Sequence, residues 1–239
     1  MPFYCFAQQS NVSKDVLFVD YTHTIHAKGT PSATVINSTL LANRYANLYE
    51  MDFLGEKNFI EEEDSETGPS FRIKPKGNSF VFKDLIKRDI YSILRISMKP
   101  FLVKDSMSIF NWKIENEFKE IIGYKCQKAT VNYRGRNYIA FFTTEIPFQN
   151  GPWKFCNLPG LILEVYSTDN VLNIIAYKIQ IKNKDVIIKN PYKKQINSSI
   201  SWDEFIVEYE KKYEELEHFR YPGGGRISLP KEGIEIYIE

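Results

Sequence analysis

The chain has 239 residues, of which 43% are hydrophobic and 15% aromatic, which is enough to bury the core of one large domain. Its 31 basic and 30 acidic residues leave a net charge of +1, so the charge gives no support for binding to nucleic acid or to an anionic surface. No apolar run reaches the roughly 18 residues of a membrane-spanning helix, and none is predicted. The 15 tyrosines and 17 phenylalanines favour β-strands over helices.

The first nine residues resemble the end of an export signal. Cys5 and Ala7 are small residues at the two positions that signal peptidase reads, so that cleavage leaves Gln8 as the first residue. The basic part and most of the apolar part of a signal peptide are missing, which indicates a truncated or mis-started precursor. An ordinary chain terminus is an equal alternative. We therefore predict a signal-peptide remnant at residues 1–7 and a single β-rich domain at residues 8–239.

Strand patterns run through most of the chain. Alternating, β-branched and aromatic segments predict strands at residues 15–26, 49–53, 80–82, 89–96, 111–118, 125–133, 138–143, 161–165 and within 171–188. Residues 32–47 fit either a strand and a turn or a short helix, because the periodicity does not decide. The acidic run at 59–68 lacks the spacing of a calcium loop and is interpreted as a solvated loop. Residues 134–137 form a hairpin turn, in which we expect Arg134 and Arg136 to be solvated.

One helix is predicted near the C-terminus, over residues 201–219. Ser201 and Glu204 have the spacing of a capping box. Apolar residues recur at helical spacing behind this cap: Trp202, Phe205, Ile206, Tyr209, Tyr213 and Leu216. The glycine-rich segment at 222–225 ends the helix. Residues 234–239 alternate strictly and predict a last edge strand.

The stretch from Ile146 to Glu164 stands apart from these regular patterns. It contains three prolines and two glycines among large apolar residues: Pro147, Pro152, Pro159, Gly151 and Gly160. Proline removes a backbone donor and glycine admits backbone angles that other residues avoid, so this stretch is not a helix. It is also too apolar for a solvated linker. We therefore predict a buried, irregular loop that bends at Pro159-Gly160 into the strand at 161–165.

The cysteines and histidines offer few sites for chemistry. In an exported chain, Cys126 and Cys156 form either one disulfide or two buried free thiols, and the sequence leaves both open. His23 and His26 lie three residues apart on a strand, so their side chains point to opposite faces and do not share a metal. His218 lies near the end of the helix. We predict no metal site and no cofactor.

Several segments together resemble one known family. They are residues 121–130, 134–136, 141–147, 151–155 and 158–162, in the same order and with close spacing. Over about residues 112–165 the chain is similar to the GLPGLI family of exported Bacteroidetes proteins, which is named for a hexapeptide. Asn157 replaces the first glycine of that hexapeptide. Asparagine is the next best residue at positive φ, so we expect the bend to be kept.

This resemblance implies a protein of the periplasm or cell envelope, often associated with TonB-dependent outer-membrane transport systems. The strand at 125–133 and its hairpin also look like the lipoprotein-carrier (LolA-like) half-barrels. In those proteins a curved antiparallel sheet holds a helix against its concave side. Together with the strand patterns, we predict a mostly β fold, with a single large twisted antiparallel sheet or half-barrel and one packed amphipathic helix near the C-terminus.

The leading functional hypothesis is a non-enzymatic, exported envelope protein that binds an apolar or peptide ligand, or an outer-membrane transport partner. The bent loop would shape one end of its groove. The candidate ligand-binding residues are Trp153, Phe155, Asn157, Leu158, Pro159 and Gly160. Nucleic acid is not a predicted partner.

The alternative is a periplasmic hydrolase that acts on peptides. Its site would be built around Cys156, Glu145 or Glu164, because a thiol or a pair of carboxylates can support nucleophilic or acid–base chemistry. Such a site needs a histidine near one of these residues. A third possibility is an interaction module with no small-molecule site.

Overall fold

The computed structural model describes residues 15–26, 33–53, 64–65, 68–69, 78–183, 186–219 and 228–238. The predicted signal-peptide remnant at residues 1–7 lies outside this part of the chain. So do most of the acidic run at 59–68 and the glycine-rich segment at 222–225. The described residues form one large β-sheet, a small separate hairpin and one α-helix.

The strands follow in chain order as β1 (Asp15–His26), β2 (Ala33–Ala42), β3 (Ala46–Asp52), β4 (Asp64–Ser65), β5 (Gly68–Pro69), β6 (Ser79–Asp84), β7 (Asp89–Ile96), β8 (Lys99–Ser106), β9 (Lys113–Ile121), β10 (Tyr124–Tyr133), β11 (Arg136–Thr143), β12 (Leu161–Ser167), β13 (Leu172–Asn183) and β14 (Ile200–Ser201). The helix α1 spans Trp202–His218, and two short 3-10 turns lie at Met107–Ile109 and Ile196–Ser198. Strands β4 and β5 pair with each other as the small hairpin.

The main sheet is open and has the strand order β14-β8-β7-β6-β3-β2-β1-β13-β12-β11-β10-β9. Eleven of these strands pair antiparallel, and the two-residue β14 joins the edge parallel to β8. Strand β1 pairs with both β2 and β13, and so joins the two halves of the chain. Register shifts interrupt β1, β10 and β11, and such bulges increase strand bending and twist. The predicted fold class is confirmed.

Most of the predicted elements are present. The strands at 15–26 and 89–96 have the predicted bounds, and residues 32–47 contain a strand and a turn instead of a helix. In the helix, Ser201 accepts from the Glu204 backbone amide while the Glu204 carboxylate accepts from the Ser201 amide, which confirms the capping box.

The predicted last strand at residues 234–239 is wrong. Within the described residues this segment forms a single bridge between Glu232 and Ile236. Its backbone groups are used elsewhere, because the amides of Tyr237 and Ile238 both donate to the Lys231 carbonyl. The segment therefore folds back on itself and does not extend along a neighbouring strand.

The inner face of the sheet carries the main hydrophobic core. Registered pairs place Val19, Leu40, Tyr49 and Val81 side by side on this face, and all four are buried. The irregular loop at residues 146–160 packs on the same face and contributes several of the buried residues of that core. The chain therefore fills the concavity of its own sheet.

The helix covers the part of the inner face that the loop leaves open. Phe205 and Tyr209 of α1 pack with Ile96 and Val103 of the edge strands, in a second apolar cluster. The ring centroids of Phe205 and Phe101 are 5.8 Å apart in an edge-to-face arrangement. The loop and the helix thus divide the inner face between them.

The outer face is partly covered by the segment that follows β13. Ile188 and Tyr192 pack there against Phe82, Tyr91 and their neighbours. The Tyr192 hydroxyl donates to the Phe80 carbonyl at 2.7 Å, which fixes this segment across the strands. The part of the sheet formed by β3, β6, β7 and β8 is therefore covered on both faces.

At the other edge of the sheet, a bulge and charged side chains protect β9 from pairing with a strand of another chain. Its pairing with β10 is interrupted by a bulge, and Lys128 of β10 pairs there with Glu115 and Glu117. Charged side chains and bulges on an edge strand discourage pairing with another chain. This edge is charged, whereas the β8 edge is covered by β14 and α1.

His23 is a buried titratable group of β1, the strand that joins the two halves. Its side chain is fully buried, and Nδ1 lies 3.2 Å from the Tyr49 hydroxyl. Burial lowers the pKa of His23 to about 3. The pKa of a histidine in an unfolded chain is about 6.5, so between these two pH values the unfolded chain binds a proton that the folded chain does not.

Stability should therefore fall as the pH drops below about 6.5, and His23 should account for part of the loss. We expect His23→Gln to lose about 2 kcal/mol less free energy of unfolding than the wild type between about pH 7 and about pH 5. Urea unfolding at both pH values measures this difference. His26→Gln, at the exposed end of β1, is the control. An unchanged pH dependence in His23→Gln would contradict the assignment.

Candidate functional site

The bend of the loop depends on two residues of the hexapeptide. Asn157 has a φ of 72°, which confirms the expectation that asparagine keeps the positive φ at this position. Gly160 lies against β11, where an added Cβ would be 2.0 Å from the Thr143 carbonyl oxygen. The Leu161 amide donates to the Ile146 carbonyl at 3.1 Å and closes the loop. Gly160 is thus required by close approach of the backbone.

A side chain at position 160 should open the loop. We expect Gly160→Ala to lower the free energy of unfolding by more than about 3 kcal/mol, because the backbone of β11 must move. The matched control is Pro159→Ala, whose side chain is exposed, and we expect a change below about 1 kcal/mol. Urea unfolding of both variants measures the difference, and equal midpoints would contradict this role of Gly160.

The six candidate ligand-binding residues lie in different environments. Trp153, Phe155 and Leu158 are between 0% and 4% exposed and belong to the main core, so their side chains line no groove. Gly160 is buried against β11, and Pro159 is exposed. Asn157 is half-buried and lines a cleft of about 440 Å³. Of these six residues, four are therefore buried, Asn157 lines the cleft, and Pro159 is exposed outside it.

Lys83 of β6 binds the loop to the inner face of the sheet. Its ammonium is fully buried and donates to the Gly151 carbonyl at 3.0 Å and to the Phe155 carbonyl at 2.7 Å. Burial lowers the pKa of Lys83 to about 8, although nearby Cys156 acts in the opposite direction. Next to it, the Asn47 amide donates to the Asn150 side-chain oxygen at 2.9 Å. Two polar residues of adjacent strands thus bind the loop inside the core.

Lys154 fixes the same loop from its other side. Its ammonium is 2.8 Å from the Glu235 carboxylate and 3.2 Å from that of Asp105. Arg134 pairs with both carboxylates, and the Tyr133 hydroxyl donates to Glu235 at 2.8 Å. Burial raises the pKa of Asp105, but Lys154 and Arg134 outweigh it and hold that pKa below its usual value. We call these five residues the ion cluster.

The ion cluster corrects the interpretation of the hairpin turn. Arg134 is 10% exposed, and its guanidinium lies 3.4 Å from the centre of the Trp202 ring on α1. Arg136 is 1% exposed and donates to the carbonyls of Gly233 and Ile234. Both arginines were expected to be solvated, which is wrong, because the segment at 228–238 folds over the hairpin.

Removal of one ion-cluster member should be costly. We expect Lys154→Met to lower the free energy of unfolding by about 3–5 kcal/mol, since two buried carboxylates then share the single cation of Arg134. The control is Lys212→Met, which removes a partly exposed pair with Glu215 on α1, with an expected loss below about 1 kcal/mol. Thermal and urea unfolding measure both, and a loss below 1 kcal/mol in Lys154→Met would contradict a tightly coupled cluster.

The cysteines are two buried free thiols, which is the alternative to the disulfide candidate Cys126–Cys156. Burial raises the pKa of Cys126 to about 11 and also raises that of Cys156. Few thiolates therefore form at neutral pH, and both residues are poor nucleophiles. Trp112 donates to the Cys156 carbonyl at 2.8 Å, so Cys156 belongs to the packed core.

The residues of the predicted hydrolase site are not brought together. His23 faces Tyr49, and His218 lies against the Glu214 carbonyl. Glu145 accepts from the Lys125 amide, and Glu164 pairs with Lys119. In the described part of the chain, none of the three histidines is hydrogen-bonded to Cys156, Glu145 or Glu164.

No group of three His, Cys, Asp or Glu side chains within the described ranges could hold a metal ion. None of the described helices is both long enough and apolar enough to cross a membrane.

The cleft beside Asn157 lies at one end of the sheet, where segments distant in sequence meet. Its lining comes from strand ends, turns and the loop: Asp15, Asn43, Arg44, Leu85, Arg88, Met107, Pro147, Phe148, Gln149, Asn150, Asn157 and Ile181. Of these residues, only Asn157 was among the sequence candidates. No sequence pattern pointed to Arg44 or Arg88, because each lies in a separate short turn.

Polar groups converge on this cleft. Arg88 donates to the Asn157 side-chain oxygen at 3.4 Å, and the Asn157 amide donates to the Met107 carbonyl. Arg44 lies 4.4 Å above the Tyr45 ring. Gln149 and Arg44 are exposed, so their side chains are open to a ligand. The cleft thus offers amide and guanidinium groups beside the apolar surface of Phe148.

Comparisons with known proteins give one family. The family described as "N-glycanase peptide, N-terminal domain" matches residues 82–203, just over half of the chain. A search of curated proteins found no match.

Among solved structures, PNGF-II is similar in two crystal forms, with TM-scores of 0.49 and identities of 12% and 14%. Each match covers 83% of this chain and 32% or 34% of PNGF-II, so the chain spans about a third of that protein. A DUF1329 family protein from Desulfovibrio piger has a TM-score of 0.32 at 8% identity, over 79% of this chain and 93% of its own. A LolA superfamily protein from Nitrosomonas europaea has a TM-score of 0.30 at 8% identity, over 73% and 88%.

Proposed function

The chain belongs to the family of N-glycanase peptide N-terminal domains, and from this premise we propose that it is an exported, non-enzymatic binding domain. Its ligand is a peptide segment of a glycoprotein, and the cleft beside Asn157 is the binding site. The family description supports this ligand class because it names both an N-glycanase and a peptide.

The observation that carries the proposal is the cleft itself. Side chains from the start of β1, two turns, the loop and the end of β13 enclose about 440 Å³, within the usual range of about 300–1,000 Å³ for ligand sites. Peptide groups both donate and accept hydrogen bonds, and the exposed amide of Gln149 and the amide of Asn157 can do the same. Phe148 adds apolar surface for a side chain of the ligand.

An apolar ligand in the concavity is less well supported. The inner face is occupied by the loop, with Trp153 and Phe155 in the core, and by α1. A lipid-carrier mode of binding would require this packing to open, which would also separate Lys83 and Lys154 from their buried partners. We therefore favour the peptide over the apolar ligand.

The proposed location is the periplasm or cell envelope, and a proposed partner is a component of a TonB-dependent outer-membrane transport system. The resemblance to the GLPGLI family supports both, and membership of that family stays a prediction.

Among the described residues, no observation favours a peptidase-like site near the loop. Burial raises the pKa of the Cys156 thiol. Glu145 and Glu164 are bound to Lys125 and Lys119, respectively. We propose no second function.

The binding site can be tested with the combined variant Gln149→Ala and Asn157→Gly. Glycine keeps the positive φ of position 157 while removing the amide. We expect immobilised variant to recover at least about tenfold less peptide than the wild type from a protease digest of N-glycosylated proteins, a loss of about 1.4 kcal/mol. Mass spectrometry of the eluted peptides measures the recovery.

The control for this experiment is Gln195→Ala, an exposed glutamine outside the cleft lining. Urea unfolding of each variant shows whether the fold is kept. Equal recovery by the wild type and the cleft variant, or no recovery by the wild type above a blank resin, would refute the proposed site.

A further inference from the structure

Three segments contact one another beside the cleft, and two of them contribute residues to its lining. The turn between β2 and β3 contacts the turn between β6 and β7, because the Leu85 amide donates to the Tyr45 carbonyl at 3.0 Å. The first turn also contacts the segment after β13, because the side-chain amide of Asn43 donates to the Val186 carbonyl at 2.9 Å. We call this surface the cleft rim.

The cleft rim exposes large apolar side chains on all three segments. Tyr45 is 51% exposed, Ile86 is 70% exposed and Ile187 is 83% exposed. The two isoleucines are the most exposed large hydrophobic residues in the described part of the chain. Single exposed apolar residues are common on protein surfaces, but a group of them around a cleft marks an interaction surface.

Cations accompany these apolar residues on the same turns. Arg44, Lys87 and Arg88 are all exposed. The nearby carboxylate of Asp84 accepts from the amides of Ile86 and Lys87 at 3.1 and 3.0 Å, so it is bound to its own turn. Asp15 supplies a carboxylate on the cleft wall. The guanidinium groups of Arg44 and Arg88 thus provide two cations at the mouth.

The position of Arg88 is preset by its backbone. Arg88 has a φ of 58°, a conformation that a residue with a side chain adopts at a cost in free energy. The Met107 amide donates to the Arg88 carbonyl at 2.8 Å and holds the turn in place. The Arg88 guanidinium also lies 3.4 Å from the Asn157 side-chain oxygen.

Resting on the function proposed above, we infer that the ligand is an acidic polypeptide segment. One of its carboxylates lies between Arg44 and Arg88, because a guanidinium binds a carboxylate through paired N–H groups. Its flanking apolar side chains cover Tyr45, Ile86 and Ile187. The remaining peptide groups are held by the amides of Gln149 and Asn157 in the cleft.

The same surface fits an acidic sugar less well. Sugar rings pack on the open face of an aromatic side chain, and Arg44 already covers one of the two faces of the Tyr45 ring. The two exposed isoleucines also offer only apolar contact, which suits leucine-like or aromatic side chains of a polypeptide. The apolar surface beside the two arginines therefore favours a peptide carboxylate over a sugar carboxylate as the ligand.

The test uses two fluorescently labelled peptides of equal length that share leucine and tyrosine positions. In the first, three positions are Asp or Glu; in the second, the same positions are Asn or Gln. We expect the wild type to bind the acidic peptide at least about tenfold more tightly in low salt, and this preference to shrink as salt is added. Fluorescence anisotropy measures both affinities.

The double variant Arg44→Gln and Arg88→Asn should bind the two peptides equally. Asparagine tolerates the positive φ of position 88 better than most residues. Arg95→Gln on β7 is the matched control and should keep the preference. A second variant, Ile86→Ser and Ile187→Ser, should weaken both peptides by a similar factor.

Equal binding of the acidic and amide peptides by the wild type would overturn this inference but leave the proposed function standing. Tighter binding of glucuronic acid than of the acidic peptide would overturn it in favour of a sugar carboxylate. If the wild type binds neither peptide and recovers none from the digest, the proposed function itself fails.

Discussion

Two buried amines hold the loop at residues 146–160 inside the sheet, and the rest of the structure depends on them. Lys83 binds backbone carbonyls of the loop, and Lys154 projects from the loop into the ion cluster. A buried ammonium is costly unless its hydrogen bonds are complete, so neither lysine can lose its partners without a large penalty. The loop therefore serves as core, and its outer part is free to shape the cleft.

The elements that the sequence predicts well are those set by local chemistry. The alternation in β1, the capping box of α1 and the positive φ of Asn157 each follow from a few neighbouring residues. Burial of Lys83 could not be inferred in this way, because lysine in a strand usually faces water. Its partners at Gly151 and Phe155 lie about 70 positions away in sequence.

The same dependence on distant contacts explains why a C-terminal strand was wrongly predicted and why the sequence did not indicate the cleft. Strict alternation at 234–239 is typical of a strand, yet the backbone there binds Arg136, a contact across almost a hundred residues. The cleft is likewise assembled from turns that share no motif, with Arg44 and Arg88 each in its own short turn. Proximity in sequence to the hexapeptide was therefore a poor guide to the site, except at Asn157.

The hydrogen bond between the side chains of Asn47 and Asn150 affects the rate at which Asn150 can deamidate. Asn150 precedes Gly151, and an Asn-Gly pair is the sequence most prone to deamidation through a cyclic imide. That reaction needs the glycine amide nitrogen to attack the asparagine side chain, but Asn150 is 3% exposed and its side-chain oxygen is bound at 2.9 Å. Its own carbonyl also accepts from the Ile162 amide at 2.9 Å. Deamidation of Asn150 would therefore occur mainly in molecules in which the loop has separated from the sheet. The mass of the proteolytic peptide that contains Asn150 would then report how often this separation occurs.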